Sequence, residues 1–218
     1  MRFEESFKIW NQLSEDEKRQ IESSIVQRRV KEHSMIHQGS LDCTGLLVIQ
    51  SGQLRAYSLS EEGREITLYR LFEQDVCLFS ASCIMPSLQF EMMIEAEKET
   101  EFWIIPPDVV ERIMKQSAVF SNYINETLSA RFSEVMWLME QVMWKSLDKR
   151  LANFLLEESV LEQTAQLKIT HEKIANHLGS QREVISRMLK YFQQEELVQL
   201  SRGTVELLDM DRLEMLCE

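Results

Sequence analysis

Between Asp108 and Glu158 the chain has neither proline nor glycine, and Phe120, Ile124, Thr127, Arg131, Val135, Leu138 and Val142 recur at steps of three or four residues. That stripe predicts one long amphipathic helix. Upstream the pattern is different. Leu46-Leu47-Val48-Ile49, Leu54 to Leu59, Ile66 to Leu71 and Phe102 to Ile105 are short β-prone runs, separated by turn signals at Ser51-Gly52 and Glu61-Glu62-Gly63. Short strands joined by hairpin turns predict an antiparallel sandwich or barrel over about 31–105. Before them, Ser14 with Glu17 three residues later has capping-box spacing and predicts a helix from Ser14 to about Val30. Pro106-Pro107 closes the β regime, and Pro107 suits the first turn of the helix that follows.

Two arrangements satisfy the long stripe. The helix either lies on its own sheet or pairs with a second copy of itself in a coiled-coil-like seam. Met136, Trp137, Met139, Met143 and Trp144 add more apolar surface than one face requires, which favours the second.

The C-terminal part carries the densest signal. Thr170 can cap a helix whose inner side is Ile174, Ala175 and Leu178, and Gly179 supplies a tight turn. Ser180 and Glu183 have capping-box spacing and predict a second helix opening directly after the turn. Two short helices joined by a glycine turn are a helix-turn-helix pattern. The second helix has an apolar stripe, Val184, Ile185, Met188, Leu189 and Phe192, and an opposite stripe of Arg182, Glu183, Ser186, Arg187 and Lys190. Arg, Glu and Ser can read base edges in a major groove. A solvated helix face carries the same residue types, and Glu183 can serve merely as a cap. Leu197 to Leu200, Ser201-Arg202-Gly203 and Thr204 to Leu207 then form a small hairpin, which makes the pattern a winged helix-turn-helix.

Composition narrows the function classes. The 218 residues carry a net charge of −12, so the average field repels nucleic acid and any DNA-binding surface must be local. From Asp148 onward there are 9 basic and 13 acidic residues, so the basic footprint is narrow and affinity should depend on two copies and fall with salt. No apolar run approaches the length that spans a bilayer, and Met1-Arg2-Phe3-Glu4-Glu5 lacks the basic and apolar regions of a signal peptide, so the expectation is a cytoplasmic protein with no membrane partner. Cys43, Cys77, Cys83 and Cys217 form no CxxC pair, which predicts reduced thiols and no metal site. Neither a nucleophile–base motif nor a phosphate loop is present, which argues against an enzyme.

An N-terminal β-roll, a long helix and a winged helix-turn-helix containing Arg182-Glu183-x-x-Ser186-Arg187 resemble the Crp/Fnr family of bacterial transcription regulators. The resemblance covers essentially the whole chain. It is carried by Val48-Ile49-Gln50-Ser51-Gly52-Gln53-Leu54 with Glu61-Glu62-Gly63-Arg64-Glu65, and by the stretch from Ile169 to Lys190. It implies an α+β fold: an N-terminal antiparallel β-roll of the double-stranded β-helix or jelly-roll kind (1–107), a long dimerisation helix (108–146) and a winged helix-turn-helix (147–218). It further implies a homodimer on a palindromic DNA operator, acting with RNA polymerase under control of an effector. Arg182, Glu183 and Arg187 fall where family members contact bases, and Ser186 matches the Fnr-like branch. Thr170, Glu172, Gln181 and Lys190 fall at or near backbone-contacting positions, and Arg202 lies at the wing tip.

The sensor departs from the family's nucleotide-binding pattern. Leu78 and Phe79 stand where a Gly-Glu pair would hold the ribose, and no arginine lies between Arg70 and Arg112 to meet a cyclic phosphate. A phosphodiester buried without a cation is very costly, so cyclic AMP is not the expected ligand. The iron–sulfur branch clusters cysteines near the N-terminus, whereas here the first is Cys43, so no such cluster is expected. Haem rests only on the presence of His33 and His37, and is not expected either. Cys77, Leu78, Phe79, Cys83 and Phe90 outline an apolar effector pocket. Cys77 and Cys83 could form a redox couple there, or could pack as small apolar residues. The effector is unnamed. The competing reading is a winged helix that contacts protein rather than DNA.

Overall fold

Residues 2–39, 43–78, 80 and 92–217 are described by a computed structural model. They fall into two units. One comprises Met1–Leu59 with Leu68–Val135, the other Ser60–Thr67 with Met136–Glu218.

The first unit opens with α1 (Phe3–Ser6), a 3-10 turn (Trp10–Gln12) and α2 (Glu15–Glu22). Ser14 caps α2 as its spacing predicts: its hydroxyl accepts from Glu17 N–H at 3.3 Å, and the Glu17 carboxylate accepts from Ser14 N–H at 2.7 Å. The helix ends at Glu22, well short of Val30. Ser23 and Ser24 return their hydroxyls to the Gln20 carbonyl, at 3.1 and 2.8 Å, and the chain then runs as β1 (Val26–Val30). Pairing with a distant strand has overridden the local helical reading there.

Next come β2 (Met35–Gln38), β3 (Leu46–Ser51), β4 (Leu54–Leu59), β5 (Glu65–Leu71), β6 (Val76–Cys77), β7 (Met93–Ala96) and β8 (Thr100–Ile105). They build two four-stranded sheets, ordered β1-β8-β3-β6 and β2-β7-β4-β5, with antiparallel pairing such as Val26 opposite Ile104 and Leu54 opposite Ala96. The unbroken apolar run in β3 has a simple cause: both faces are covered. Leu46 and Val48 point into a cluster with Phe3, Phe7, Trp10, Ile113 and Phe120. Leu47 and Ile49 point between the sheets, against Leu54, Ala56, Tyr69, Leu71, Ile94 and Phe102. In β6 the same alternation sends Val76 to the first cluster and Cys77 to the second.

The single predicted helix is three. After α3 (Pro107–Gln116), Ser117 is extended and separates it from α4 (Ala118–Trp144); Ser146, also extended, precedes α5 (Leu147–Glu162). The absence of proline and glycine therefore did not guarantee continuity. At the first break, Ser121 gives its hydroxyl to the Met114 carbonyl at 2.6 Å, and Ser117 accepts from Phe120 N–H at 3.2 Å.

In the second unit, α5 is followed by β9 (Gln166–Leu167), α6 (His171–Leu178), α7 (Arg182–Gln194), β10 (Val198–Ser201), β11 (Thr204–Leu207) and α8 (Met210–Cys217). The hairpin β10–β11 gains a third strand through β9. One core unites Leu151, Phe154, Leu155, Ile174, Ile185, Leu189, Phe192, Val198, Val205 and Leu213. Among the described residues no helix is long and apolar enough to cross a membrane.

Candidate nucleic-acid interface and sensor core

Thr170 is the N-cap of α6, its hydroxyl accepting from Lys173 N–H at 3.1 Å. Gly179 ends the helix in the left-handed region at φ +67°. A side chain there is opposed twice, by the backbone angle and by Ile66, whose carbons lie 3.1–3.4 Å from where a Cβ would sit. Ile66 forms an isolated antiparallel bridge with Leu178, and the Thr67 hydroxyl lies 2.7 Å from His177 Nδ1. The segment Ser60–Thr67 thus packs on the helix-turn-helix itself. Arg150 of α5 adds a hydrogen bond to the Leu178 carbonyl at 2.6 Å, and so satisfies a carbonyl at the end of α6.

The predicted Ser180–Glu183 capping box is absent. Gln181 is the N-cap of α7 and makes no side-chain cap, while Ser180 N–H donates to the Ala175 carbonyl at 3.0 Å as part of the turn. Glu183 therefore sits in the first turn of α7 with an exposed side chain that caps nothing, which removes the capping explanation for its presence.

The apolar face of α7 is as its pattern requires. Ile185, Leu189 and Phe192 are fully buried, and Met188 packs partly against them. On the other side Arg182, Glu183, Arg187 and Lys190 are exposed and Ser186 is half-buried. Gln181 and Thr170 at the two helix starts, Glu172 on α6 and Arg202 at the tip of the β10–β11 wing are also exposed. Arg182, Arg187, Lys190 and Arg202 form no ion pair with any described residue. Against Glu172 and Glu183 on the same surface, these four cations leave a local excess of positive charge on an acidic chain.

One member of this surface was not legible in the sequence. His171 Nδ1 lies 2.8 Å from the Ser186 hydroxyl, linking the first residue of α6 to the second turn of α7. Burial, then the nearby Arg182 and Lys190 charges, hold the His171 imidazole below its ordinary value of 6.5. No local spacing rule joins residues fifteen apart on two helices.

The residues expected to outline an effector pocket are only partly described. Phe79, Cys83 and Phe90 lie outside the described residues. Cys77 and Leu78 are buried in different clusters, so they do not face a common cavity. Cys77 is a buried thiol outside any disulfide, whereas Cys43 is disulfide-bonded, so the expectation of reduced thiols throughout is corrected. The first unit instead holds a cavity of about 370 Å³ lined by Lys8, Arg70, Asp75, Tyr123, Glu126, Thr127, Arg131 and Glu134. Its cations are matched by carboxylates: Arg70 Nε donates to Glu97 at 2.8 Å, Arg131 to Glu134 at 2.8 Å, and Lys8 is 3.8 Å from Asp75. Burial raises the Tyr123 hydroxyl to about 12, and the Asp75 carboxylate adds to the rise. Among the described residues no group of three or more His, Cys, Asp or Glu side chains could hold a metal ion.

The predicted dimer stripe on α4 also divides. Phe120 and Ile124 are buried in the first unit's own core, Arg131 is nearly so, and Val135 packs toward the cluster between the sheets. Thr127 gives its hydroxyl to the Tyr123 carbonyl at 2.8 Å. Those five positions are used within the chain, as in the first of the two arrangements above. Leu138 is half-buried and Val142 is exposed, in company with Phe132, Trp137, Met139, Met143 and Trp144.

Comparison with known proteins agrees with this architecture. The Crp-like helix-turn-helix domain matches residues 149–216, and the cyclic nucleotide-binding domain matches residues 27–117. A crystal structure described as a transcriptional regulator of the Crp/Fnr family from Eubacterium rectale is 60% identical, covering 98% of this chain and 99% of its own, with a TM-score of 0.95. This chain belongs to the Crp/Fnr family. As a Crp/Fnr protein it is a transcription regulator with a helix-turn-helix, and not an enzyme. It is 26% identical to the regulatory protein HlyX of Actinobacillus pleuropneumoniae over 92% of this chain and 86% of that protein. It is also 26% identical to the transcriptional activator protein Anr of Pseudomonas protegens, over 74% of this chain and 68% of that protein.

Proposed function

We propose that this Crp/Fnr protein is a cytoplasmic homodimer that binds an inverted-repeat DNA operator and regulates transcription in response to a small-molecule or redox signal other than cyclic AMP. The observation that carries the reading is the exposed set Arg182, Arg187 and Lys190 beside half-buried Ser186 on one side of α7, with Arg202 at the wing. Two such helices, one per protomer, fit successive major grooves about 34 Å apart. Residues 1–107 act as the sensor, 108–146 carry the dimer helix and 147–218 bind DNA. The Pseudomonas protegens relative is a transcriptional activator, which supports activation as the direction of control.

The seam we assign to the dimer lies on α4 at Phe132, Met136, Met139 and Met143, which follow 4-3-4 spacing and include side chains 67%, 45% and 58% exposed at Phe132, Met139 and Met143. Control requires the signal to stabilise one conformer over another, since equal affinity shifts nothing. The disulfide at Cys43 supports a redox arm.

Selection from a random duplex pool, under reducing and oxidising conditions, tests the reading. Enrichment of an inverted repeat with half-sites one helical turn apart supports it, and enrichment in one redox state alone makes the thiols the sensor. Failure to enrich any sequence in either state replaces it with a winged helix that contacts protein. In sedimentation the wild type runs as a dimer at micromolar concentration and Met139→Glu runs as a monomer; a monomeric wild type ends the dimer mechanism.

A further inference from the structure

We propose that His171 sets the base preference of α7 by fixing the hydrogen-bonding state of Ser186. The inference rests on the DNA-reading role proposed above. A serine hydroxyl has one proton and two lone pairs, and unconstrained it rotates to meet either a donor or an acceptor on a base edge. Ser186 is constrained. Its Oγ is 2.8 Å from His171 Nδ1, and both side chains are half-buried, so the contact is partly sheltered from water.

A neutral imidazole nitrogen is either a donor or an acceptor, never both. With Nδ1 bare, Ser186 gives its proton to His171, and only lone pairs remain to face a base amino group. With the proton on Nδ1, Ser186 accepts it through one lone pair and keeps both its own proton and a second lone pair for the base. It is the bare nitrogen that removes one of the two possibilities and turns an ambiguous hydroxyl into a selective acceptor. The ring also limits where Oγ can sit, since His171 is held at the start of a helix capped by Thr170. Burial, with the Arg182 and Lys190 charges that reach His171, disfavours protonation of the ring there. His171 is thus a positioning residue that acts through Ser186.

The test uses the full chain and the operator that the wild type selects from random duplexes, with competition binding to operators altered one base pair at a time. Ser186→Ala identifies the pair that Ser186 reads, through a fall in discrimination of roughly three- to tenfold. His171→Ala produces a comparable fall at that same pair and leaves the others within about twofold. The double variant falls no further than either single one. His171→Asn, whose amide places a polar atom near the position of Nδ1, restores most of the preference. His171→Gln, whose amide reaches past that position, does not, and it replaces the alanine variant should that one unfold.

Unchanged preference in the alanine and glutamine variants overturns the inference, as does a uniform loss on every sequence, which marks a phosphate-contacting or purely structural histidine. A Ser186→Ala variant with wild-type preference at every pair overturns it too. A wild type that selects no sequence at all removes the DNA-reading function itself, a failure distinct from these.

Discussion

Replacing Gly179 by alanine separates two costs at the turn of the helix-turn-helix. The first is backbone: an L-residue held in the left-handed region is destabilised by about 1–2 kcal/mol, partly offset by the smaller entropy of the unfolded chain. Gly203, at φ +72° with nothing within 4 Å of a built Cβ, isolates that cost, so Gly203→Ala should lose about 1 kcal/mol. The second is crowding. At Gly179 the new methyl meets Ile66 Cδ1 at 3.1 Å, Cβ at 3.3 Å and Cγ1 at 3.4 Å, all inside the usual carbon–carbon contact of about 3.5–4.0 Å. Overpacking by one methyl adds about 1–3 kcal/mol, so Gly179→Ala should lose about 2–4 kcal/mol in all. Ile66→Val removes the nearest atom and should recover part of this in the double variant, although alone it costs about 0.5–1.5 kcal/mol. Native-state hydrogen exchange of the Ile185 and Leu189 amides, both in fully buried residues of α7, reads the stability of this unit directly. Equal losses at Gly179 and Gly203, or no recovery with Ile66→Val, would refute the packing of Ile66 against the turn.

Thr170→Ala removes the N-cap of α6 and should cost about 1 kcal/mol in the same exchange experiment, while Thr170→Ser retains most of the stability. On the selected operator, Arg187→Ala should lose about 1–3 kcal/mol of discrimination at one base pair; Lys190→Ala should weaken all sequences alike and reduce the salt slope by about one. Equal loss on matched and scrambled DNA would remove Arg187 from base reading. The depressed pKa of His171 also has a definite sign. Its contribution to stability is complete above the unfolded value near 6.5 and is lost as pH falls below that through the folded value. An NMR titration should place the His171 midpoint below 6.5, and a midpoint above it would contradict the burial and the neighbouring cations.

Much of the helix-turn-helix was legible because its signals are local. Thr170 three residues before Lys173, Gly179 at the turn and the 3.6-residue stripe ending at Phe192 each act within a turn or two of backbone. The wing was legible for the same reason, since Arg202-Gly203 closes two strands that pair with each other. Local reading failed where a distant partner decided. Val26–Val30 became a strand because Thr100–Ile104 lies beside it, and the Ser180–Glu183 box gave way to a turn in which Ser180 binds back to Ala175. Cys77 and Leu78 alternate between two cores, which a run of apolar letters cannot express.

The stripe on α4 shows the division most plainly. Periodicity alone determined that one side of that helix would be apolar, because a 3.6-residue repeat puts every third or fourth side chain on one face. Only the tertiary structure decided which residues the chain would use itself. Phe120 and Ile124 meet a core assembled from the N-terminal segment, β3 and α3, while Phe132, Met139 and Met143 meet none. The same holds for the surface of α7. Its residues were determined by the pattern around Gly179, but the partner of Ser186 was set by the packing of α6 across α7, which brings His171 to 2.8 Å from a hydroxyl fifteen residues away.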